Sequence, residues 1–164
     1  MGRIGGIEVR RAGPDDLPVL SELQWRWRVE EWSGEPAVDR AWFAEAMRGW
    51  VTERPGSRAA FVATAGGAPV GMAWLTAIER VPTPMRLNRR LGLVESVYVL
   101  PEVRDQGAGS ALLTRLVDEA RRLGFDHLLV HPSDRSVPLY RRLGFGGEGY
   151  FLELRLAEEA EPEP

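Results

Sequence analysis

The segment from Val97 to Leu113 constrains the fold of this chain more than any other part of it. An apolar strand ends at Pro101, a short turn containing Gly107 and Gly109 follows, and a strongly amphipathic helix comes next. Glycine lets the backbone of such a turn approach a ligand without a Cβ in the way. The free N–H groups of the first helical turn point at one spot and favour an anion there. The segment therefore predicts an α/β arrangement with a phosphate or pyrophosphate at the turn.

The turn lacks the fingerprint of a dinucleotide-binding fold. That fingerprint needs a third glycine three residues after Gly109, and Leu112 occupies the position. The segment also follows several strands, whereas a dinucleotide-binding turn usually opens its fold. A different phosphate-bearing ligand is therefore expected.

The rest of the chain alternates strands and helices in the manner of one α/β domain. We predict one domain over residues 1–156 and an acidic, disordered tail over 157–164. The predicted strands cover residues 7–10, 58–65, 70–78, 93–100, 125–131 and 150–156. Helices are predicted from about residue 16 to 32, around 42–50, and over 110–123 and 136–143, with a polar loop over 81–90.

Two absent residue types exclude whole classes of chemistry. The 164 residues include no Cys, and all 21 basic residues other than His are Arg. Disulfide scaffolds, thiol catalysis, Cys-ligated metal sites and lysine-dependent phosphate or Schiff-base chemistry are therefore excluded. His127 and His131 have no third ligand in the pattern, so no metal site is predicted.

The charge pattern gives no reason to expect nucleic acid or a membrane as a partner. The formal charge is −3, and four of the 24 acidic residues lie in the tail, so the body is almost neutral. The uncharged stretch 59–78 is broken by Gly66 and Gly67, which predicts a hairpin rather than a membrane span. The N-terminus lacks the apolar region of a signal peptide, and we expect a cytoplasmic protein.

A second motif lies about thirty residues after the glycine turn. It reads Leu-Tyr-x-x-Leu-Gly-Phe and ends at Phe145, while the turn itself reads Arg-x-x-Gly-x-Gly from Arg104. The two motifs at this spacing closely resemble the GNAT superfamily of acyl-CoA-dependent N-acyltransferases. The resemblance covers Glu8 to Leu156 in element order. It implies a mixed, twisted sheet of about six to seven strands flanked by about four helices.

The resemblance also implies a cofactor site and a general acid. Acetyl-CoA would be the cosubstrate, with its pyrophosphate on the turn and its pantetheine alongside the preceding strand. Tyr140 would protonate the departing thiolate, and Ser133 stands where many members have an Asn that contacts the cofactor. The implied cofactor-binding residues are Val97, Tyr98, Val99, Arg104, Asp105, Gln106, Gly107, Ala108, Gly109, Ser110 and Ser133.

The acceptor amine must lose a proton, and Glu95 is the candidate base. It lies two residues before Val97, which places both on one face of a regular strand, and it resembles an acid that many family members carry. It would act directly or through water. The alternative is a hydrogen-bonded surface glutamate with no role in proton transfer.

The first half of the chain holds all six Trp residues. Trp25 and Trp32 share one helix face, and Trp27 points the other way. They would either line the acceptor site, with cation–π contact to an amine, or pack the core. Three arginines of the predicted loop would attract an acidic acceptor or simply be solvated: Arg86, Arg89 and Arg90.

Together these features predict an N-acetyltransferase that moves an acetyl group from acetyl-CoA to a primary amine of a small molecule or peptide. Without Cys, the amine would attack directly in a ternary complex. The alternatives are a non-catalytic acyl-CoA sensor of the same fold and a toxin that acts on charged transfer RNA, which the near-neutral body disfavours. A homodimer is a further expectation.

Overall fold

A single seven-stranded sheet organises the chain. The computed structural model describes residues 2–4, 6–31, 35–149 and 151–156. The strands lie in the sheet in chain order: β1 Gly2–Ile4, β2 Ile7–Arg11, β3 Arg58–Ala65, β4 Ala68–Arg80, β5 Arg89–Val99, β6 His127–Val130 and β7 Leu152–Arg155. The α-helices of the described residues are α1 Leu17–Glu31, α2 Arg40–Thr52, α3 Ala108–Arg122 and α4 Val137–Arg142. Short 3₁₀ turns at Pro14–Asp16 and Pro101–Val103 precede α1 and follow β5.

Strands β5 and β6 run parallel, while the other neighbouring pairs are antiparallel. The parallel pair exists because α3 carries the chain from the end of β5 back across the sheet. Leu91 to Val94 pair with all four residues of β6, and no later residue of β5 is paired on that side. The carboxyl end of β5 therefore diverges from β6, at the kind of point where open α/β sheets bind ligands.

The helices cover both faces of the sheet. On one face α1 and α2 pack together, and Trp50 of α2 meets Trp74 of β4 with ring centroids 5.5 Å apart. On the other face α3 crosses the sheet, and Arg115 lies 5.6 Å from the ring of Phe61. Helix α3 buries a row of apolar residues against the sheet, namely Ala108, Ala111, Leu112, Leu113, Leu116, Val117 and Ala120.

The predicted fold class is confirmed: one α/β domain with a mixed sheet of seven strands and four helices in the described residues. The hairpin predicted around Gly66 and Gly67 joins β3 to β4. The predicted loop over 81–90 is too long, because β5 begins at Arg89, and β4 also runs two residues past its predicted end, to Arg80. The last pairs of these strands join charged residues, Glu79 with Arg90 and Arg80 with Arg89, and such residues carry no apolar alternation to predict a strand.

The N-terminal strand differs most from expectation. Strand β1 was not predicted, since the glycine-rich segment before Ile7 has no strand pattern, yet Gly2–Ile4 pairs with β2. Residues 32–34, Tyr150 and the predicted disordered tail 157–164 lie outside the described residues. None of the described helices is long and apolar enough to cross a membrane.

Candidate active site

The glycine turn leads into a helix whose first amides receive no side-chain cap. Gly107 is the N-cap of α3 at φ +89°, and its carbonyl accepts from the Ala111 amide at 2.9 Å. The amides of residues 108–110 precede that first bond, and glycine supplies no side chain to cap them. Asp105 also adopts positive φ, at +61°. The turn is thus shaped so that three donors face outward at the positive end of the helix dipole.

Arg104 braces this turn against the strand. Its Nε donates to the Val99 carbonyl at 3.0 Å, and its guanidinium lies 5.7 Å from the Tyr98 ring. Gln106 points away, since its side-chain amide donates at 3.4 Å to the Glu102 carbonyl on the exposed side of the turn.

Gly109 has a packing role that the sequence interpretation did not include. A Cβ at this position would come within 3.2 Å of the Leu139 Cδ2 atom of α4. Such a contact is tighter than ordinary van der Waals packing, so the small residue lets α4 approach the start of α3. The glycine thus brings the two sequence motifs together in space.

A bulge in β5 changes the face on which Glu95 lies. Met72 pairs with Tyr98 and Trp74 with Glu95, so β5 has one extra residue here, and Ser96 adopts φ +50°. The expected common face of Glu95 and Val97 is therefore wrong. Glu95 instead shares its face with Tyr98, on the side of the sheet that α1 and α2 cover.

The Glu95 carboxylate accepts a hydrogen bond from a residue of the neighbouring strand β4. Thr76 donates its hydroxyl to Glu95 Oε2 at 2.8 Å, while both side chains are partly buried. One carboxylate oxygen is thus committed to Thr76. The carboxylate lies in the cleft wall, where the second oxygen can meet a ligand.

Tyr140 lies on the opposite wall, in α4. It is 4% exposed, and its ring meets Phe145 edge to face with centroids 5.3 Å apart. Burial raises the pKa of the Tyr140 phenol above its ordinary value. The side chain is therefore protonated throughout the physiological range and can act as a proton donor.

The turn that leads into α4 is built by Ser133. Its hydroxyl donates to the Ser136 hydroxyl at 3.1 Å, and its carbonyl accepts from the Ser136 and Val137 amides. Ser133 faces the cleft from the α4 side. It is exposed, in contrast to the neighbouring Tyr140.

These features meet in one cleft of ≈ 1040 Å³, which opens where β5 and β6 diverge. The cleft brings together both predicted catalytic residues and the predicted cofactor-binding residues, with the exception of Gln106. The predicted residues that line it are Glu95, Val97, Tyr98, Val99, Arg104, Asp105, Gly107, Ala108, Gly109, Ser110, Ser133 and Tyr140.

Other cleft residues were missed or interpreted differently. Trp27 and Arg28 of α1 form one wall, while His131 and Phe151, with ring centroids 6.0 Å apart, lie at the end of β6 and the start of β7. The contribution of Trp27 to an aromatic wall was one of two open interpretations. Nothing in the local sequence marks Arg28 or Phe151, because only the folded chain brings them to the cleft.

The remaining tryptophans of the described residues either pack against other aromatic rings or are exposed to solvent. Trp25 packs against Phe43 at 5.8 Å and Trp50 against Trp74, whereas Trp42 is 61% exposed. Trp32 lies outside the described residues.

The loop arginines are used within the fold and do not line the cleft. Arg86 forms an ion pair with Asp126. Arg90 donates to the Leu123 carbonyl at 2.6 Å, and Arg89 donates to the Val81 carbonyl at 3.1 Å. The Arg86 and Arg90 contacts attach the long β4–β5 hairpin to the segment that follows α3, and the Arg89 contact lies within the hairpin. Neither the acceptor interpretation nor the purely solvated one describes these arginines.

Comparison with known proteins identifies the family. The profile of the Acetyltransferase (GNAT) family matches residues 17–145. A curated relative, the glucosamine 6-phosphate N-acetyltransferase of Trypanosoma brucei brucei, is 36% identical over 75 residues, which are 46% of this chain and 51% of that protein. The matched segment thus spans about half the length of that relative.

Solved structures show the same architecture. A GCN5-related N-acetyltransferase from Ralstonia eutropha JMP134 superimposes with a TM-score of 0.67 at 28% identity, covering 96% of this chain and 99% of that one. A Clostridium acetobutylicum protein described as a predicted acetyltransferase was solved with acetyl-CoA. It has a TM-score of 0.71 at 23% identity, and the match covers 94% of this chain and 99% of that one. The family match, the shared fold and the cleft agree, and the chain belongs to the GNAT family of acetyltransferases.

Proposed function

We propose that this protein transfers the acetyl group of acetyl-CoA to a primary amine of a small molecule or peptide by direct attack in a ternary complex. One observation carries the proposal: a single cleft joins helix amides without a side-chain cap, a strand edge that β6 leaves unpaired, and the phenol and carboxylate side chains of Tyr140 and Glu95. Because the chain has no Cys, it cannot form a thiol-linked acyl-enzyme.

The donor set of the cleft fits a long, partly anionic ligand. The amides of residues 108–110 would bind the pyrophosphate, with Arg104 and Asp105 shaping the turn. The edge of β5 that β6 leaves without a strand partner would hydrogen-bond the amides of the pantetheine arm at Val97 and Val99, where the Val99 carbonyl also accepts from Arg104. Acetyl-CoA supplies the activated acetyl group as a thioester.

In this proposal Tyr140 is the general acid. Its raised pKa keeps the phenol protonated, so the O–H is available to the negative charge that develops on the departing sulfur. Tyr140 lines the cleft, and in this proposal its proton goes to the sulfur as the carbon–sulfur bond breaks.

Glu95 is the proposed general base, acting directly or through one water. The bond from Thr76 fixes the carboxylate and leaves the second oxygen for the proton of the attacking amine. Its position opposite Tyr140 separates proton removal from proton delivery, which is what transfer from nitrogen to sulfur requires.

A thiol-release assay tests the proposal. Purified protein is mixed with acetyl-CoA and a panel of amines that includes glucosamine 6-phosphate, the acceptor in the name of the trypanosome relative. We expect free thiol to appear only when an acceptor amine is present. Calorimetric binding of acetyl-CoA with no amine-dependent release would favour the non-catalytic sensor instead, and sedimentation equilibrium on the same sample tests the expected homodimer.

A further inference from the structure

We propose that the acceptor carries an anionic group besides its amine, and that Arg28, stacked on Trp27, binds that group. The inference rests on the proposed transferase activity and concerns the acceptor half of the same cleft. It adds a specificity-determining residue and a substrate class, amines that bear a carboxylate or a phosphate.

Arg28 lies on the α1 wall of the cleft. Its guanidinium sits 4.1 Å from the centre of the Trp27 ring, and that ring lies 6.4 Å from Tyr98. Tyr98 shares its strand face with Glu95 because of the bulge in β5. Arg28 and the proposed base therefore belong to the same side of the cleft.

Among the described residues, no carboxylate pairs with Arg28, and its guanidinium contacts the face of Trp27. Arg26, two residues earlier on the same helix, lies 3.9 Å from Glu102 instead. A guanidinium held over an indole loses less side-chain freedom on binding, and its N–H groups stay available for a bidentate contact.

The other arginines of the cleft lie at the proposed cofactor end. Arg104 is bonded to the Val99 carbonyl beside the glycine turn. Arg135 and Arg142 come from the turn before α4 and from α4 itself, the element that carries Tyr140. Arg28 is thus the arginine that α1 contributes, on the wall opposite α4.

The carboxylate of Glu95 and the guanidinium of Arg28 therefore flank the half of the cleft proposed to bind the acceptor. Thr76 holds the Glu95 carboxylate at 2.8 Å, and Trp27 holds the Arg28 guanidinium. A primary amine suits the carboxylate, and an anionic group elsewhere on the same molecule suits the guanidinium. An acceptor with both groups satisfies both positions, whereas a simple alkylamine leaves the guanidinium without a partner.

Matched acceptor pairs test this inference. Glucosamine 6-phosphate is compared with glucosamine, and 4-aminobutyrate with butylamine, by kcat/KM for thiol release. In at least one pair we expect the anionic member to be preferred by about 10- to 100-fold, the range expected for a hydrogen-bonded ion pair. The phosphate pair and the carboxylate pair distinguish the two kinds of anion.

Arg28→Gln should abolish that preference, mainly by raising KM for the anionic member, so that the two members of each pair are used with similar kcat/KM. Arg26→Gln removes the same charge from the same helix outside the cleft and should keep the preference. Arg28 is exposed and Arg26 is partly exposed, so neither substitution removes a buried core side chain and melting temperatures should match the wild type.

Three outcomes overturn the inference: equal kcat/KM within every pair, turnover of neither anionic amine, or a preference that survives Arg28→Gln. These failures are distinguishable from failure of the proposed function. In the latter case no amine, charged or neutral, releases thiol above the rate without acceptor.

Discussion

Replacing Tyr140 with Phe removes the proposed acid and little else. The ring is 4% exposed and packs edge to face on Phe145, and Phe retains that contact. Loss of one buried hydroxyl should change the free energy of unfolding by no more than about 1 kcal/mol. For a domain of this size, that corresponds to a change in melting temperature of about 2–4 °C at most.

The catalytic effect of the same change should be much larger. Loss of a general acid typically lowers the rate by about 10²- to 10⁴-fold, or about 3–5 kcal/mol of transition-state stabilisation. Burial raises the pKa of Tyr140 above its ordinary value of 10.0. Deprotonation of this residue should therefore cause no loss of wild-type activity at any pH below 10.0.

Three measurements on one preparation separate the roles of Tyr140. Thiol release gives kcat, calorimetry gives the affinity for acetyl-CoA, and thermal melting gives stability. We expect a large loss of kcat, with affinity and melting temperature almost unchanged. A kcat within about threefold of wild type would refute the assignment, and a collapse of the melting temperature would show that the hydroxyl serves the core.

Two further predictions concern Glu95 and Glu119. Thr76→Val removes the hydroxyl that holds Glu95 and should lower kcat about tenfold without changing KM for acetyl-CoA. Thr76→Ser retains a hydroxyl and should keep the wild-type kcat. Equal kcat values for the two variants would contradict the role of Thr76 in positioning Glu95. Glu119, 3% exposed, has its pKa lowered to about 2, chiefly by the hydrogen bond from Arg122, and Arg115 and Arg11 add to this effect. Its carboxylate should therefore stabilise the fold above pH 4.5, by about 1–3 kcal/mol, and lose that contribution as pH falls toward 2. Urea unfolding at pH 7 and pH 3 should show a smaller pH dependence for Glu119→Gln, and an unchanged dependence would count against the prediction.

The parts of the site that the sequence predicts well are local. The strand before the glycine turn, the turn itself and the start of α3 are adjacent in the chain, so spacing and residue type define them. The same holds for α4 and Tyr140. Packing of Leu139 against Gly109 then joins two local motifs, and neither motif alone predicts that contact.

The parts that the sequence does not predict depend on pairing across the sheet. The bulge at Ser96 reverses the strand face of Glu95, and only the register with β4 defines it. Thr76 reaches Glu95 across the same register. Arg28 lies in the cleft because α1 packs over this part of β5, and no periodicity of α1 indicates which residue the cleft will contain.

The claim that the α3 turn binds acetyl-CoA is the centre of this account. Calorimetric titration of acetyl-CoA into the wild type, Gly107→Val and Gly124→Val tests it. Gly107 and Gly124 lie at opposite ends of α3 at φ +89° and +70°, so valine strains the backbone at both, but only the first adjoins the free amides. We predict at least about tenfold weaker binding, ~1.4 kcal/mol, for Gly107→Val and wild-type affinity for folded Gly124→Val. Wild-type affinity in a folded Gly107→Val variant would contradict the account.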